Sequence, residues 1–341
     1  MAGKLPIDIK RKSALKCTIN FPDDGTKIME MLTLNDTLVA ITKKAVYEAK
    51  LADQIDPKRE KPNLPPIVQQ RILGIGTDSE LIARVLLTAN TLFRKEFFAS
   101  SIDLKKALSL SYEVLIEMVA MDTIINQYKL DEEKAIEVAK NSKGSFAIPS
   151  IGDVKTRCKT FFQKADHAKQ TIWDIIRLFY PTAKEAKPQL KEQGHCDTLH
   201  NFIKGKYGND DDFARFIERA LPFLKMVRNT RDCLDHRHAN CVLHVTDFAL
   251  LPNGKIAFPA IEIKFRDTNQ PSVPLSVCMT AVAEGMLNFV EVLMVFLCSK
   301  HVQPFAGFPI QVGPIPEDRR KYKYVQYGYG TYIDGNFVSI G

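Results

Sequence analysis

Paired cysteines, nucleotide-binding glycine loops and hydrolase signatures are all missing from this 341-residue chain, and each absence removes a class of protein. Its seven cysteines, at 17, 158, 196, 233, 241, 278 and 298, are odd in number and include no CxxC pair. That argues against a disulfide framework and for reduced thiols that serve as small buried hydrophobes. Gly74-Ile75-Gly76 lacks the third glycine and the preceding parallel strand of a dinucleotide fingerprint, and no P-loop, GxSxG or HExxH occurs. No internal repeat, heptad array or low-complexity segment is present. Long uncharged apolar runs are scarce as well. The most apolar window, Val273 to Cys298, holds Glu284, Asn288 and Glu291, whose burial in lipid is expensive, so a core helix is expected in place of a membrane span. The N-terminus, MAGKLPIDIKRKSALKC, is basic without an apolar run behind it, so no signal peptide is indicated and a cytoplasmic protein is expected.

The composition supplies a 45% hydrophobic fraction, ample for a core in one large or two ordinary domains. The net charge of +7 is spread along the chain, so it permits an acidic partner such as RNA without demanding one.

Periodicity suggests a mainly α architecture: a helical bundle with an inserted β-hairpin and an additional N-terminal, mostly helical portion. Residues 1–150 form that portion. Within it, Leu5 to about Lys50 reads as strands or a short helix, and the proline-rich stretch from Asp56 to Pro66 as an extended connector. Thr77-Asp78-Ser79-Glu80 has the form of a capping box opening a helix to about Phe98. Further helices are expected from Leu104 to Tyr128 and from Asp131 to Asn141, with a boundary near Gly144 to Gly152. The bundle, 151–302, begins with a helix from Val154 to Tyr180 and continues through a polar loop containing Gly205 and Gly208. Next comes a helix capped by Asp210, Asp211 or Asp212, with Phe213, Ile217, Ala220, Leu224 and Val227 inward. Val242 to Leu250 and Lys255 to Phe265, joined by Asn253-Gly254, predict a hairpin over 241–266. A helix from about Leu275 to Lys300 follows, and the Tyr/Gly-rich tail, 303–341, reads as extended.

Polar and charged residues crowd the end of the amphipathic helix, from Arg228 to His238. At about 100° per residue, Asn229, Asp232 and His236 share one face, with Arg228 beside them through its i+4 relation to Asp232. Extending the apolar stripe places Arg231 inward, where a guanidinium needs a carboxylate or phosphate because it stays charged. Asp235, at i+4, can supply the carboxylate; otherwise Arg231 faces a cleft. An arginine near a histidine can cleave RNA without a metal, since imidazole moves protons near neutral pH and guanidinium holds the phosphate. The alternatives are a salt-bridged helix end, with His236 and Arg237 as favourable C-terminal charges, and a helical scaffold in which Arg231 and Asp235 are a buried ion pair.

Arg231-Asp232-Cys233-Leu234-Asp235-His236 resembles the HEPN signature, an arginine and a polar residue followed by a histidine, set in a helical bundle. Arg228-Asn229 is similar to the Arg-Asn pair of that family but lies one residue beyond the usual spacing from His236. The resemblance covers about Ile151 to His301 and implies a metal-independent endoribonuclease of a toxin or defence system, with its cleft formed where two bundles pair. On that basis His236 assists attack of the ribose 2'-hydroxyl, Arg231 or Arg228 steadies the phosphate, and Asn229 or Asp232 orients the pair. A homodimer, an RNA substrate, a regulatory partner or antitoxin, and no cofactor are implied. Members that have lost cleavage bind RNA or nucleotides, and a binding or assembly module is therefore the alternative.

Two other groups stand out. Cys233, His236, His238, Cys241 and His244 lack the spacing of a zinc frame, so no metal site is expected. Lys321-Tyr322-Lys323-Tyr324, continuing to Tyr329, interleaves basic and aromatic residues, as single-stranded RNA contacts do, and Arg237 and His238 could extend such a surface. Tyrosines packed on the bundle are the plainer reading of the tail.

Overall fold

The computed structural model describes residues 27–61, 63–99, 101–141, 147–180, 196–236, 239–305, 308–333 and 336–340. It opens with β1 (Ile28–Leu34) and β2 (Thr37–Thr42), joined by Asn35 and Asp36 at φ 46° and 59°. Two successive positive-φ residues make the turn whose twist suits a two-residue hairpin, and Asn and Asp tolerate it best after glycine. β3 (Val46–Leu51), a single turn α1 (Ala52–Ile55) and β4 (Ile67–Leu73) complete an antiparallel sheet of order β1-β2-β3-β4. Leu32, Leu34, Val39 and Ile41, two apart in each strand, face the core. The described part of the N-terminal portion thus begins as sheet, in keeping with the strand reading of the stretch to about Lys50, and turns helical after it. The proline-rich connector is the loop between neighbouring β3 and β4, folded back where Asp56 accepts from the backbone N–H of Glu60 (3.0 Å) and Lys61 (2.9 Å).

A π-helical segment (Ile82–Leu87) runs into α2 (Thr88–Leu92), so the helix stops short of Phe98. Glu80 pairs with Arg84 (2.8 Å), and Arg84 reaches Glu291 (2.6 Å) and Asn288 (2.7 Å). α3 (Leu104–Asn141) is one 38-residue helix, not two. Nothing near Asp131 breaks it: the carboxylate read as a helix start accepts from Gln127 (3.0 Å) and Arg157 (2.6 Å) on the helix surface.

α4 (Val154–Phe179) packs along α3. α5 (Cys196–Tyr207) occupies the expected polar loop, and its buried Leu199 and Ile203, four apart, pack it against α6 (Asp212–Asp235). The hairpin is larger than expected. β5 (Val242–Thr246), β8 (Ala260–Phe265) and β9 (Thr268–Pro274) form a three-stranded antiparallel sheet, while β6 (Ala249–Leu250) and β7 (Ile256–Ala257) carry the Asn253-Gly254 turn, with Gly254 at φ 77°.

α7 (Leu275–His301) is, among the described residues, the one helix long and apolar enough to cross a membrane. More than half of that apolar stretch is buried, packed on α3, α4 and α6. The tail is not simply extended: β10 (Gln311–Pro314), β11 (Tyr327–Ile333) and β12 (Asn336–Ser339) make a further antiparallel sheet, anchored by buried Tyr329, whose hydroxyl donates to the Leu92 carbonyl.

The architecture is mixed α and β, with seven α-helices among the described residues, and not a pure helical bundle. One hydrophobic core contains Leu34, Phe161, Met294 and Tyr329, and so runs from the first sheet through the helices to the tail.

The expectation of reduced thiols is corrected at one pair. Cys233 and Cys241 are disulfide-bonded, because the chain leaving α6 turns back into β5 and brings their Cα atoms to 6.5 Å, within bridging range. Cys158, Cys278 and Cys298 are free and buried, and burial pushes each thiol up, Cys278 to about 11.

Candidate functional site

α6 begins where Asp211 accepts from the N–H of Phe213 (3.0 Å), and of the expected stripe Phe213, Ile217, Leu224 and Val227 are buried while Ala220 is only half-buried. The next inward residues are Thr230 and Leu234, not Arg231. Thr230 is fully buried, its hydroxyl donating to the Met226 carbonyl (2.8 Å), a small polar side chain that the helix itself satisfies. Arg231 lies one position outward, 30% exposed, where its charge keeps solvent and carboxylates within reach.

Those carboxylates surround it. Arg231 Nε is 2.9 Å from Asp235 and 3.8 Å from Asp166, and Nη1 is 3.4 Å from Asp232. The 2.9 Å pair is a Coulombic contact without hydrogen-bond alignment, which leaves the Nε proton of Arg231 without an accepting atom. Asp235 is shared with Lys159 (3.1 Å) and Gln163 (3.0 Å). Burial alone would raise its carboxyl, but Lys159, Arg231 and Gln163 outweigh that and hold it below the ordinary range.

Asn229 is fully buried and joins α6 to the β8–β9 turn. Its amide donates to Asp267 (3.0 Å) and Thr268 (2.8 Å), and its carbonyl oxygen accepts from Arg228 (3.3 Å) and Arg266 (3.3 Å). Asn229 therefore positions arginines and does not itself face a ligand. Arg266, at φ 54° in the turn, lies over the Phe265 ring (4.5 Å) and donates to Asp232 (3.1 Å).

Between α4 and α6 these side chains border a cleft of about 490 Å³. α6 contributes Arg228, Arg231 and Asp232, the β8–β9 turn contributes Arg266, and α4 contributes Asp166, Lys169, Gln170, Trp173, Asp174 and Arg177. Asp166 and Lys169 are buried against each other as an ion pair, and Asp166 also accepts from Gln170 (2.7 Å). The indole N–H of Trp173 is buried with no acceptor among the described residues. An unmade hydrogen bond of this kind costs about 1–3 kcal/mol.

The structure thus brings Arg228, Arg231 and Asp232 together at the cleft, with Asn229 beneath them. His236 does not line it. It is the exposed C-cap of α6, its backbone N–H donating to the Asp232 carbonyl (2.9 Å). Arg237 and His238 lie outside the described residues.

Lys321, Tyr322, Lys323 and Tyr324 are elsewhere. Lys321 pairs with Glu30, and buried Tyr322 donates to Glu30 (2.8 Å), so both are engaged with β1. Lys323 is exposed and lies over the Tyr324 ring (4.9 Å). Lys321 and Tyr322 border a separate depression of about 460 Å³ that shares no lining residue with the first.

Cys233 and Cys241 are spent on each other, and among the described residues no group of three His, Cys, Asp or Glu side chains is placed to hold a metal ion.

The residues of α4 escaped the sequence reading. Their signal was present: Asp166, Lys169, Gln170, Trp173 and Arg177 recur at helical spacing beside the apolar stripe. Arg266 had none, because only the fold places that turn beside α6. No protein-family model, curated protein or solved structure matches the chain.

Proposed function

We propose that the chain is an HEPN-like RNA-binding module that grips phosphate groups in the cleft between α4 and α6. The observation that carries this reading is the convergence of Lys169, Arg177, Arg228, Arg231 and Arg266, from three elements, on one cleft. Guanidinium groups bind phosphate in a planar, two-pronged geometry, and here their carboxylate and amide neighbours fix them before any ligand arrives. Titrating a labelled single-stranded RNA into the protein in EDTA, with binding read by anisotropy, tests it. Arg228→Ala and Arg231→Ala should each weaken binding about tenfold, the effect of one lost charge-assisted contact. Unchanged affinity in both folded variants would refute the reading.

A second reading is cleavage, the metal-independent endoribonuclease of a homodimer in a defence role. What favours it is His236 at the end of the same helix that supplies Arg228 and Arg231, one turn past Asp232. In that reading His236 takes the 2'-hydroxyl proton and the hydroxyl attacks the adjacent phosphate held by Arg231 or Arg228. The products are a 2',3'-cyclic phosphate and a 5'-hydroxyl. Incubating total RNA in EDTA beside the His236→Ala protein, with end-group analysis, separates the two. Cyclic-phosphate ends that vanish in the variant establish cleavage; binding without cutting retains the first reading.

A further inference from the structure

We propose that the α4–α6 cleft is a terminal-phosphate site, taking the phosphomonoester at the end of an RNA strand in preference to the internal phosphodiesters. This rests on the reading of the cleft as an RNA site and goes beyond it by naming the group recognised.

The charge balance is the first reason. Five cationic side chains border the cleft, Lys169, Arg177, Arg228, Arg231 and Arg266, against three carboxylates, Asp166, Asp174 and Asp232, leaving two positive charges. An internal phosphodiester carries one negative charge and would leave the site cationic. A phosphate monoester carries close to two at neutral pH and brings it to neutrality.

The donor balance is the second. Two lining residues are more than nine-tenths buried and are donors: Trp173, whose indole N–H has no acceptor, and Lys169, which has three ammonium protons and shares Asp166 with Gln170. The Nε proton of Arg231 also lacks an aligned acceptor. A ligand that completes such a site must offer several acceptors. A monoester does so with three terminal oxygens, whereas an internal diester has two.

Size and exposure agree. A cleft of about 490 Å³ is within the range of small-ligand sites and suits one nucleotide end. The side chains of Arg177 and Arg266 are 44% and 46% exposed, which puts them at the rim, where the rest of a strand would leave.

Trp173 is the only tryptophan in the chain, so intrinsic fluorescence reports directly on the cleft. The full-length protein is titrated with one short single-stranded RNA in three forms: 5'-phosphorylated, 3'-phosphorylated, and hydroxyl at both ends. A nucleoside 5'-monophosphate, the nucleoside and inorganic phosphate serve as competitors. An end-phosphorylated strand should bind about tenfold or more tighter than the hydroxyl-ended one, the effect of one further charge-assisted contact, and should change Trp173 emission. The monophosphate should compete and the nucleoside should not. Inorganic phosphate competing as well as the monophosphate identifies the phosphate alone as the recognised group, in support. Arg266→Ala, at the rim, should reduce the preference at least about threefold, measured by anisotropy with unchanged circular dichroism.

Equal affinity for all three strands, with binding still weakened by Arg228→Ala, overturns the terminal-phosphate proposal and leaves the RNA cleft standing. A monophosphate that competes no better than its nucleoside also overturns the proposal. Failure of every strand to bind overturns both.

Discussion

Arg266→Ala separates binding from folding, because Arg266 borders the cleft without supporting the core. Its guanidinium donates to Asp232 (3.1 Å) and Asn229 (3.3 Å) and lies 4.5 Å over the Phe265 ring. With the side chain 46% exposed, solvent screens the ion pair to a few tenths of a kcal/mol, and the ring contact adds about 0.5 kcal/mol. Nothing is stranded by its loss: Asp232 keeps Arg231 at 3.4 Å, and Asn229 keeps Arg228, Asp267 and Thr268. The total is about 1 kcal/mol, or roughly 1–3 °C in Tm for a chain of this size. Binding should change far more. One phosphate-neutralising charge fewer should weaken single-stranded RNA binding about tenfold at moderate salt and lower the slope of log Kd against log salt by about 0.7. Anisotropy titrations between about 50 and 200 mM salt measure both quantities, and a thermal melt controls for folding. An unchanged slope in a protein that melts normally would refute the assignment of Arg266 to phosphate. A loss of more than about 5 °C would refute the stability reasoning.

Further outcomes are expected away from the cleft as well as beside it. Arg84→Ala should cost about 3–5 kcal/mol at neutral pH by stranding the buried Glu291 carboxylate, whose pKa burial already raises. Protonation relieves a raised carboxyl, so the deficit should shrink as pH falls through the folded-state value, measured by urea melts at several pH values. Gly76→Ala should destabilise by about 2 kcal/mol or more, because its Cβ would sit 2.1 Å from the Thr42 carbonyl oxygen, which is backbone and cannot swing aside. Gly205→Ala, within α5 and with nothing within 4 Å, should stabilise by about 0.5–1 kcal/mol, and paired thermal melts compare the two glycines.

Asp235 and Asp267 are both held below the ordinary carboxylate range, in each case by cations and hydrogen bonds that outweigh burial. Their contribution is complete above the unfolded value of about 3.9 and disappears as pH falls through the folded values, so Asp235→Asn should flatten the acid limb of the stability curve. Reducing Cys233–Cys241, which spans a sequence separation of 8, should cost up to about 2.5 kcal/mol, with two thiols becoming open to alkylation by mass spectrometry.

Local pattern was enough for the elements that carry their own signal. The span of α4, the aspartate cap of α6, the Asn253-Gly254 turn and the apolar α7 are each fixed by spacing or by one special residue, and each lies where the sequence reading puts it, the cap falling to Asp211 of the three candidates. The first sheet was harder to read because strand pairing is a non-local property, and runs as short as Val39 to Ile41 suit either element until a partner strand is known. α5 was obscured by Gly205 and Gly208, which mark a turn only when burial of residues such as Leu199 and Ile203 does not outweigh them.

The arginine-rich end of α6 was legible as a cluster but not as a site. Extending a 3.6-residue period pointed Arg231 inward, whereas packing buried Thr230 and left the charge at the cleft, since an apolar interior accepts a self-satisfied hydroxyl more readily than a guanidinium. Trp173, Lys169 and Arg266 join that end from about 58, 62 and 35 residues away from Arg231 along the chain, and no local pattern can report such distances. Sequence alone determined which helix bears the charges. Tertiary structure decided what they face, because a cleft exists only where separate elements meet.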